Sequence, residues 1–218
     1  MSKSATASSR VKERKAETLL AAVAALQRGD VIVFPTETLY GLGADALDSA
    51  AVDKVFRLKD RDSVNPIPVL VSDQAMLRIL VAEVPALAQR LIERFWPGPL
   101  TLVLPARAEV PQPLLNSTGG VGVRISSQPI ATELVKSLGR PLTATSANPS
   151  GQAPAHTVEE AKNYFAGRVE IFVDGGPLIS KTGSSVVEVI GDTIRIVRDG
   201  DGTLQAIQLR GYSGMGPY

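Results

Sequence analysis

Four polar stretches carry side chains able to hold or activate a small ligand. In PTETLYGLG, Thr36 and Thr38 offer hydroxyls on either side of Glu37, and Gly41 and Gly43 permit close backbone approach. The same threonines could instead cap the next turn, with Tyr40 filling the core. In KDRDSVNP, Lys59 and Arg61 stand two apart, with Ser63 and Asn65 ahead of Pro66. A point charge, a bidentate fork and two neutral hydrogen bonders make a phosphate clamp. In a plain solvated loop, Asp60 and Asp62 would neutralise those cations. TATSANPSGQ places Ser146 and Asn148 where a strand ends, a common ligand position in α/β proteins, although Asn-Pro-Ser-Gly is equally a turn. The last pair is Arg124, in VGVRI, and Arg198, in IRIVRDG. An arginine within an apolar strand keeps its charge hydrated or paired, so Arg124 points into a polar cavity or onto an acid, and a structural salt bridge suits either arginine.

Composition removes several other chemistries. The 218 residues include no cysteine and one histidine, His156, which leaves no disulfide, thiolate site or multi-histidine metal site. His156 itself reads as a helix-start or surface residue. Neither GxxxxGK[ST] nor GxGxxG occurs, so no P-loop or dinucleotide fingerprint is on offer. The hydrophobic fraction of 44% and charged fraction of 21% are those of an ordinary globular chain. No apolar run reaches the ~18 residues of a membrane span, and MSKSATASSRVKERK lacks a secretion-signal core, so a cytoplasmic, membrane-free protein is expected. Of 23 Lys/Arg, five lie in residues 1–15, leaving 18 basic residues elsewhere; of 22 acids one lies there, leaving 21. A basic tail on a mildly acidic body gives no case for tight nucleic-acid binding.

The elements that must position these groups follow from periodicity. Leu19, Leu20, Val23 and Leu26 form one helical stripe that Gly29 ends. VIVF reads as a buried strand that Pro35 stops. Asp48 is the expected N-cap of SAAVDKVFRLK. A strand over 67–71, a helix from Asp73, a helix over 85–94, the strands in WPGPLTLVL and VGVRI, and the helix PIATELVKSLG follow. PLTATSA reads as one strand, TVEEAKNYF as a helix and VEIFVDGG as a strand. SSVVEVIGDTIRIVR reads as a hairpin turning at Gly191-Asp192. This alternation predicts a mixed α/β sheet with helices on its faces. Residues 1–14 are expected to be a flexible basic tail, 15–208 a single domain, and 209–218 a flexible tail.

Taken in order, PTETLYGLGADA, KDRDSVNP, WPGPLTLVL, VGVRI, TATSANPSGQ, DGG, SSVV and IRIVRDG resemble the YrdC-like family of threonylcarbamoyl-AMP synthases in its short single-domain form. The resemblance covers roughly residues 15 to 200 and implies a twisted sheet curled around an open polar cavity. It also implies an enzyme, a nucleotidyltransferase that joins L-threonine, bicarbonate and ATP into threonylcarbamoyl-AMP and pyrophosphate. The product serves the N6-threonylcarbamoyladenosine modification at position 37 of ANN-decoding tRNAs. Magnesium would arrive with ATP, with no protein-only metal site. A transient contact with the tRNA threonylcarbamoyl-transferase machinery is implied, with weak or no direct tRNA binding.

By the same resemblance, Lys59, Arg61, Ser146 and Asn148 are catalytic and, with Asn65 and Arg198, bind ATP. Thr38, Arg124, Ser184 and Ser185 bind threonine. Those roles predict that Lys59→Ala or Arg61→Ala lowers turnover much more than stability. The chain departs from the family pattern at Asp62, Pro68, Leu70 and Gly120; Leu70 stands where a histidine often lines the threonine pocket. Two alternatives remain: a non-catalytic RNA-binding or ribosome-associated paralogue, and a carbamoyl-phosphate-handling homologue of the kind found within hydrogenase-maturation proteins.

Overall fold

The computed structural model describes residues 3–60, 66–180, 182–201 and 203–208. Helix α1, Lys3–Gln27, buries Ala22, Ala25 and Leu26 and ends before Gly29, whose φ of 77° suits a residue without Cβ. It starts earlier than its apolar stripe, and the stretch expected to be a tail is helical from Lys3. Strand β1, Ile32–Pro35, is wholly buried and pairs antiparallel with β2, Tyr40–Gly43, from Ile32↔Gly43 to Pro35↔Tyr40. Pro35 therefore closes the strand at its final pair, where its missing N–H costs least.

Asp48 caps α2, Ser49–Lys59, by accepting hydrogen bonds from the Ala50 and Ala51 amides at 2.9 and 3.2 Å. Asp60, at φ 50°, turns the chain out of that helix. Beyond it come β3 (Val69–Leu70), α3 (Gln74–Leu80, capped by Asp73), α4 (Ala86–Phe95), β4 (Leu100–Pro105), β5 (Gly120–Arg124) and α5 (Pro129–Leu138). The chain continues through β6 (Leu142–Thr143), β7 (Thr145–Ser146), α6 (Val158–Phe165), β8 (Ile171–Phe172), β9 (Ser185–Ile190), β10 (Thr193–Arg198) and α7 (Thr203–Gln208).

Among the described residues the strands form two mixed sheets, ordered β7-β2-β1-β8 and β10-β9-β4-β5-β3-β6. The expected α/β architecture is present, with helices against twisted sheets. PLTATSA, read as one strand, is two: β6 joins the larger sheet and β7 the smaller, with Ala144 between them. This switch carries Ser146 from one sheet to the other. The hairpin turns at Gly191, φ 58°, as anticipated. YGLG, whose glycines suggest room for a ligand beyond the strand that Pro35 stops, is itself strand β2, and a Cβ on Gly43 would lie 2.8 Å from the Phe34 ring. That glycine admits a core aromatic rather than a ligand. His156 sits just before α6, where its amide and that of Thr157 donate to the Glu160 carboxylate at 2.6 and 3.2 Å. It is part of a helix start.

Candidate active site

A cavity of about 810 Å³ is lined from both sheets: Tyr40, Gly41 and Ser146 from the smaller, Thr101, Arg124 and Arg198 from the larger. Thr38, Asn148 and Ser184 also reach it. Six of the ten residues given catalytic or binding roles from the sequence thus converge on one hollow: Thr38, Arg124, Ser146, Asn148, Ser184 and Arg198. Arg61 and Asn65 lie outside the described residues, as does Ser63.

Lys59 does not line the cavity. The last residue of α2, it is 2% exposed, and its ammonium donates to Ser146 O at 2.6 Å, Asn148 O at 2.8 Å and Asn148 Oδ1 at 3.3 Å. The Ser150 amide donates back to Lys59 O at 2.8 Å. A buried ammonium needs several oxygen partners, and the loop's carbonyls supply them. Lys59 thereby pins the loop that presents Ser146 and Asn148. The Asn148 amide group is also engaged, donating to Gln152 O at 2.6 Å and Pro149 O at 3.1 Å.

Arg124 does both things its sequence context allowed. It is 3% exposed, lines the cavity, and its guanidinium NH1 is paired with Glu37. Its Nε is buried with no hydrogen-bond partner among the described residues. An unmet donor of this kind costs about 1–3 kcal/mol, which an acceptor on a ligand can recover. Thr36 and Thr38 both line the cavity, and Thr36 also serves the turn. The Thr36 hydroxyl donates to Leu39 O at 2.7 Å and accepts from the Thr38 and Leu39 amides at 3.2 and 3.1 Å, so it shapes the turn. Thr38 then stands at the cavity, 3.1 Å from Thr36 through their hydroxyls. Tyr40 fills the core, and burial, reinforced by the Asp174 carboxylate, pushes its phenol up to about 12.

Ser184 and Ser185 part company. The Ser184 hydroxyl meets Thr101 Oγ1 at 2.9 Å and Arg198 at 3.1 Å, and Arg198 also donates to Ser184 O at 2.8 and 3.0 Å. Ser185 is 0% exposed, is not among the cavity's lining residues, and its Oγ has no partner among the described residues. Adjacent residues of an extended chain face opposite ways, so one serine meets the cavity and the other the interior. Ser185→Ala is therefore expected to raise unfolding stability by up to about 1 kcal/mol and to leave ligand affinity unchanged. Thermal melting checks the first part; a destabilised variant would show that the hydroxyl has a partner in solution.

Leu70 is fully buried, paired to Arg124 and Leu142, and absent from the cavity lining. The wall there is made by Pro66, Ile67 and Pro68. Two features escaped the sequence reading. Thr101 is the polar interruption of LTLVL, a visible signal. The other is Glu188, buried on β9, which accepts from Asn116 at 3.1 Å, Thr118 at 2.6 Å and Arg195 Nε at 2.8 Å. Burial alone would raise its carboxyl, but these hydrogen bonds outweigh that and hold it below the usual range. Its partner Arg195 lines the cavity. Among the described residues no group of three or more His, Cys, Asp or Glu side chains could hold a metal ion, and no helix is long and apolar enough to cross a membrane.

Comparison with known proteins identifies the family and the fold. The Sua5_yciO_yrdC family model, described as "Telomere recombination", matches residues 24–200. A threonylcarbamoyl-AMP synthase of Pyrococcus abyssi is 37% identical over 84% of this chain, which spans only 54% of that protein's length. A putative threonylcarbamoyl-AMP synthase of Mycobacterium tuberculosis is 36% identical, with 86% of each chain covered. The structure of P. abyssi Sua5 complexed with L-threonine superposes with a TM-score of 0.85 at 34% identity, covering 93% of this chain and 60% of that one. By its sequence, its two-sheet fold and the match across most of its length, the chain belongs to the YrdC/Sua5-like threonylcarbamoyl-AMP synthase family.

Proposed function

We propose that this chain is an L-threonylcarbamoyladenylate synthase, joining L-threonine, bicarbonate and ATP in the cavity between its sheets. The observation that carries this reading is Arg124, a buried guanidinium at the cavity wall whose Nε–H is unmet among the described residues, which suits a substrate carboxylate. Thr38 and Ser184 add hydroxyls for the rest of threonine. Arg198, with Arg61 and Asn65, would take the ATP phosphates, beside the Ser146–Asn148 loop that Lys59 braces. About 810 Å³ is within the ordinary range for a ligand site, and threonine beside a nucleotide calls for its upper half.

The threonine nitrogen forms a bond to the bicarbonate carbon with net loss of water. The carbamate oxygen then forms a bond to the α-phosphorus as the bond to pyrophosphate breaks. The residues need only align these groups and neutralise their charge. Magnesium belongs to the substrate: the cavity's polar groups are mostly hydroxyls, amides and guanidinia, with Asp199 a lone carboxylate among its described lining residues, so phosphate oxygens and water would be the principal ligands. Bound there, the ion would offset the phosphate charge. The activated product would pass to a separate transferase acting on ANN-decoding tRNAs, without tight tRNA binding here.

The test is pyrophosphate release from ATP, magnesium and bicarbonate with and without L-threonine. Strict threonine dependence is expected. Release that ignores threonine, or none beside salt-sensitive RNA binding, would favour the non-catalytic paralogue.

A further inference from the structure

Glu37 has no part in the chemistry above, yet it is the residue on which the Arg124 side of the cavity depends. One carboxylate oxygen is paired with the Arg124 guanidinium and the other accepts from the Ser126 hydroxyl. Ser126 is itself fixed, accepting from the Gln128 amide at 3.1 Å where α5 begins. The carboxylate therefore ties the β1–β2 loop, which carries Thr38, to the end of β5, which carries Arg124, and to the β5–α5 connection, which carries Ser126. Thr38 and Arg124 are among the cavity groups assigned to threonine, as is Ser184.

Glu37 does not line the cavity. It lines a separate hollow of about 660 Å³ with Gln128, Leu178 and Thr182, so the ion pair stands between the two spaces with Arg124 on the ligand side. Its influence on a ligand must pass through Arg124 and Thr38. A long arginine side chain has several rotatable bonds, and holding one NH group leaves the rest of the guanidinium in a defined orientation. The buried Arg124 charge is also compensated before any ligand arrives, which lowers the cost of keeping it in a nearly dry wall.

We propose that Glu37 is a positioning residue for the amino-acid substrate: it clamps Arg124 and Ser126 together, fixing the guanidinium that receives the substrate carboxylate and the loop that brings Thr38 to it. This inference rests on the threonine-dependent reading above. The clamp acts on the amino acid and not on the nucleotide, since Arg198 and the Lys59-braced loop are held by other bonds.

The experiment is steady-state pyrophosphate release by the native chain, Glu37→Ala, Glu37→Gln and Ser126→Ala, with KM measured separately for threonine and ATP. Glu37→Ala is expected to raise KM for threonine about tenfold, the equivalent of 1.4 kcal/mol, and to leave KM for ATP within about twofold. Glu37→Gln keeps an oxygen acceptor at the same reach and is expected to bring KM for threonine back to within about threefold of native. Ser126→Ala loosens the clamp from its other end and is expected to raise the same constant about threefold, which keeps the test open if Glu37→Ala does not fold. A merely structural role would lower the active fraction, and hence kcat, with both KM values in place; that result in an active enzyme overturns the clamp alone. A native chain without threonine-dependent release would overturn the functional reading itself, and is seen before any variant is made.

Discussion

Lys59→Met is expected to lower stability by about 3 kcal/mol and, for a chain of this size, the melting temperature by about 6–12 °C. Pyrophosphate release should fall with it to a small fraction of the native rate. Among the described residues the ammonium makes three hydrogen bonds, to oxygens of Ser146 and Asn148, in a setting where Lys59 is 2% exposed. Charge-assisted bonds contribute about 1.5–3 kcal/mol each, and relief from burying the charge offsets part of their loss. Methionine keeps most of the stem's volume but leaves two backbone carbonyls facing an apolar group. The loop they belong to presents Ser146 and Asn148 to the cavity. The resemblance alone suggested a lysine whose loss spares the fold; its hydrogen bonds instead make it a structural brace as well. A melting temperature unchanged within about 2 °C would mean the ammonium points elsewhere in solution, and Lys59 would then return to a direct phosphate role.

Gly200→Ala is expected to cost about 3 kcal/mol or more and to raise KM for ATP steeply. A Cβ at this position would lie 2.4 Å from Ser184 C and Ser185 N, and 2.5 Å from Gly183 O. These are backbone atoms and cannot swing aside as a side-chain tip can. They are also held, since the Ser185 amide donates to Pro99 O at 3.0 Å and the Asp201 amide to Gly183 O at 3.2 Å. Making room means moving the segment whose Ser184 carbonyl and hydroxyl fix Arg198. Gly139→Ala is the control: its φ of 69° is strained for alanine, but nothing lies within 4 Å, so a loss of about 1 kcal/mol with native KM values is expected. Equal effects of the two substitutions would show that crowding at Gly200 is relieved cheaply.

The helices and the longer strands were legible because their signals are local. Asp48 before SAAVDKVF, Asp73 before α3, Gly139 after α5 and the Thr157/Glu160 pair at α6 each act within four residues, and each does what its position suggests. The short strands β3 and β8 lie within stretches read as strands, but the division of PLTATSA was not legible. β6 and β7 carry too few residues to show a period, and their separation depends on which sheet each edge accepts. YGLG looked like a ligand loop because glycine is rare within strands; its pairing with β1 and the Phe34 ring against Gly43 explain it only after folding.

By itself the sequence determined the α/β class, the caps and the set of polar groups available for chemistry, since each rests on short-range hydrogen bonding or on hydrophobic periodicity. Tertiary structure alone decided the use of each group. Lys59 meets carbonyls some ninety positions on, Arg124 meets Glu37 across two sheets, and strand alternation sends Ser184 to the cavity and Ser185 away from it. Those outcomes depend on which strands become neighbours. That choice follows from burying the apolar faces of the whole chain, and no single motif encodes it.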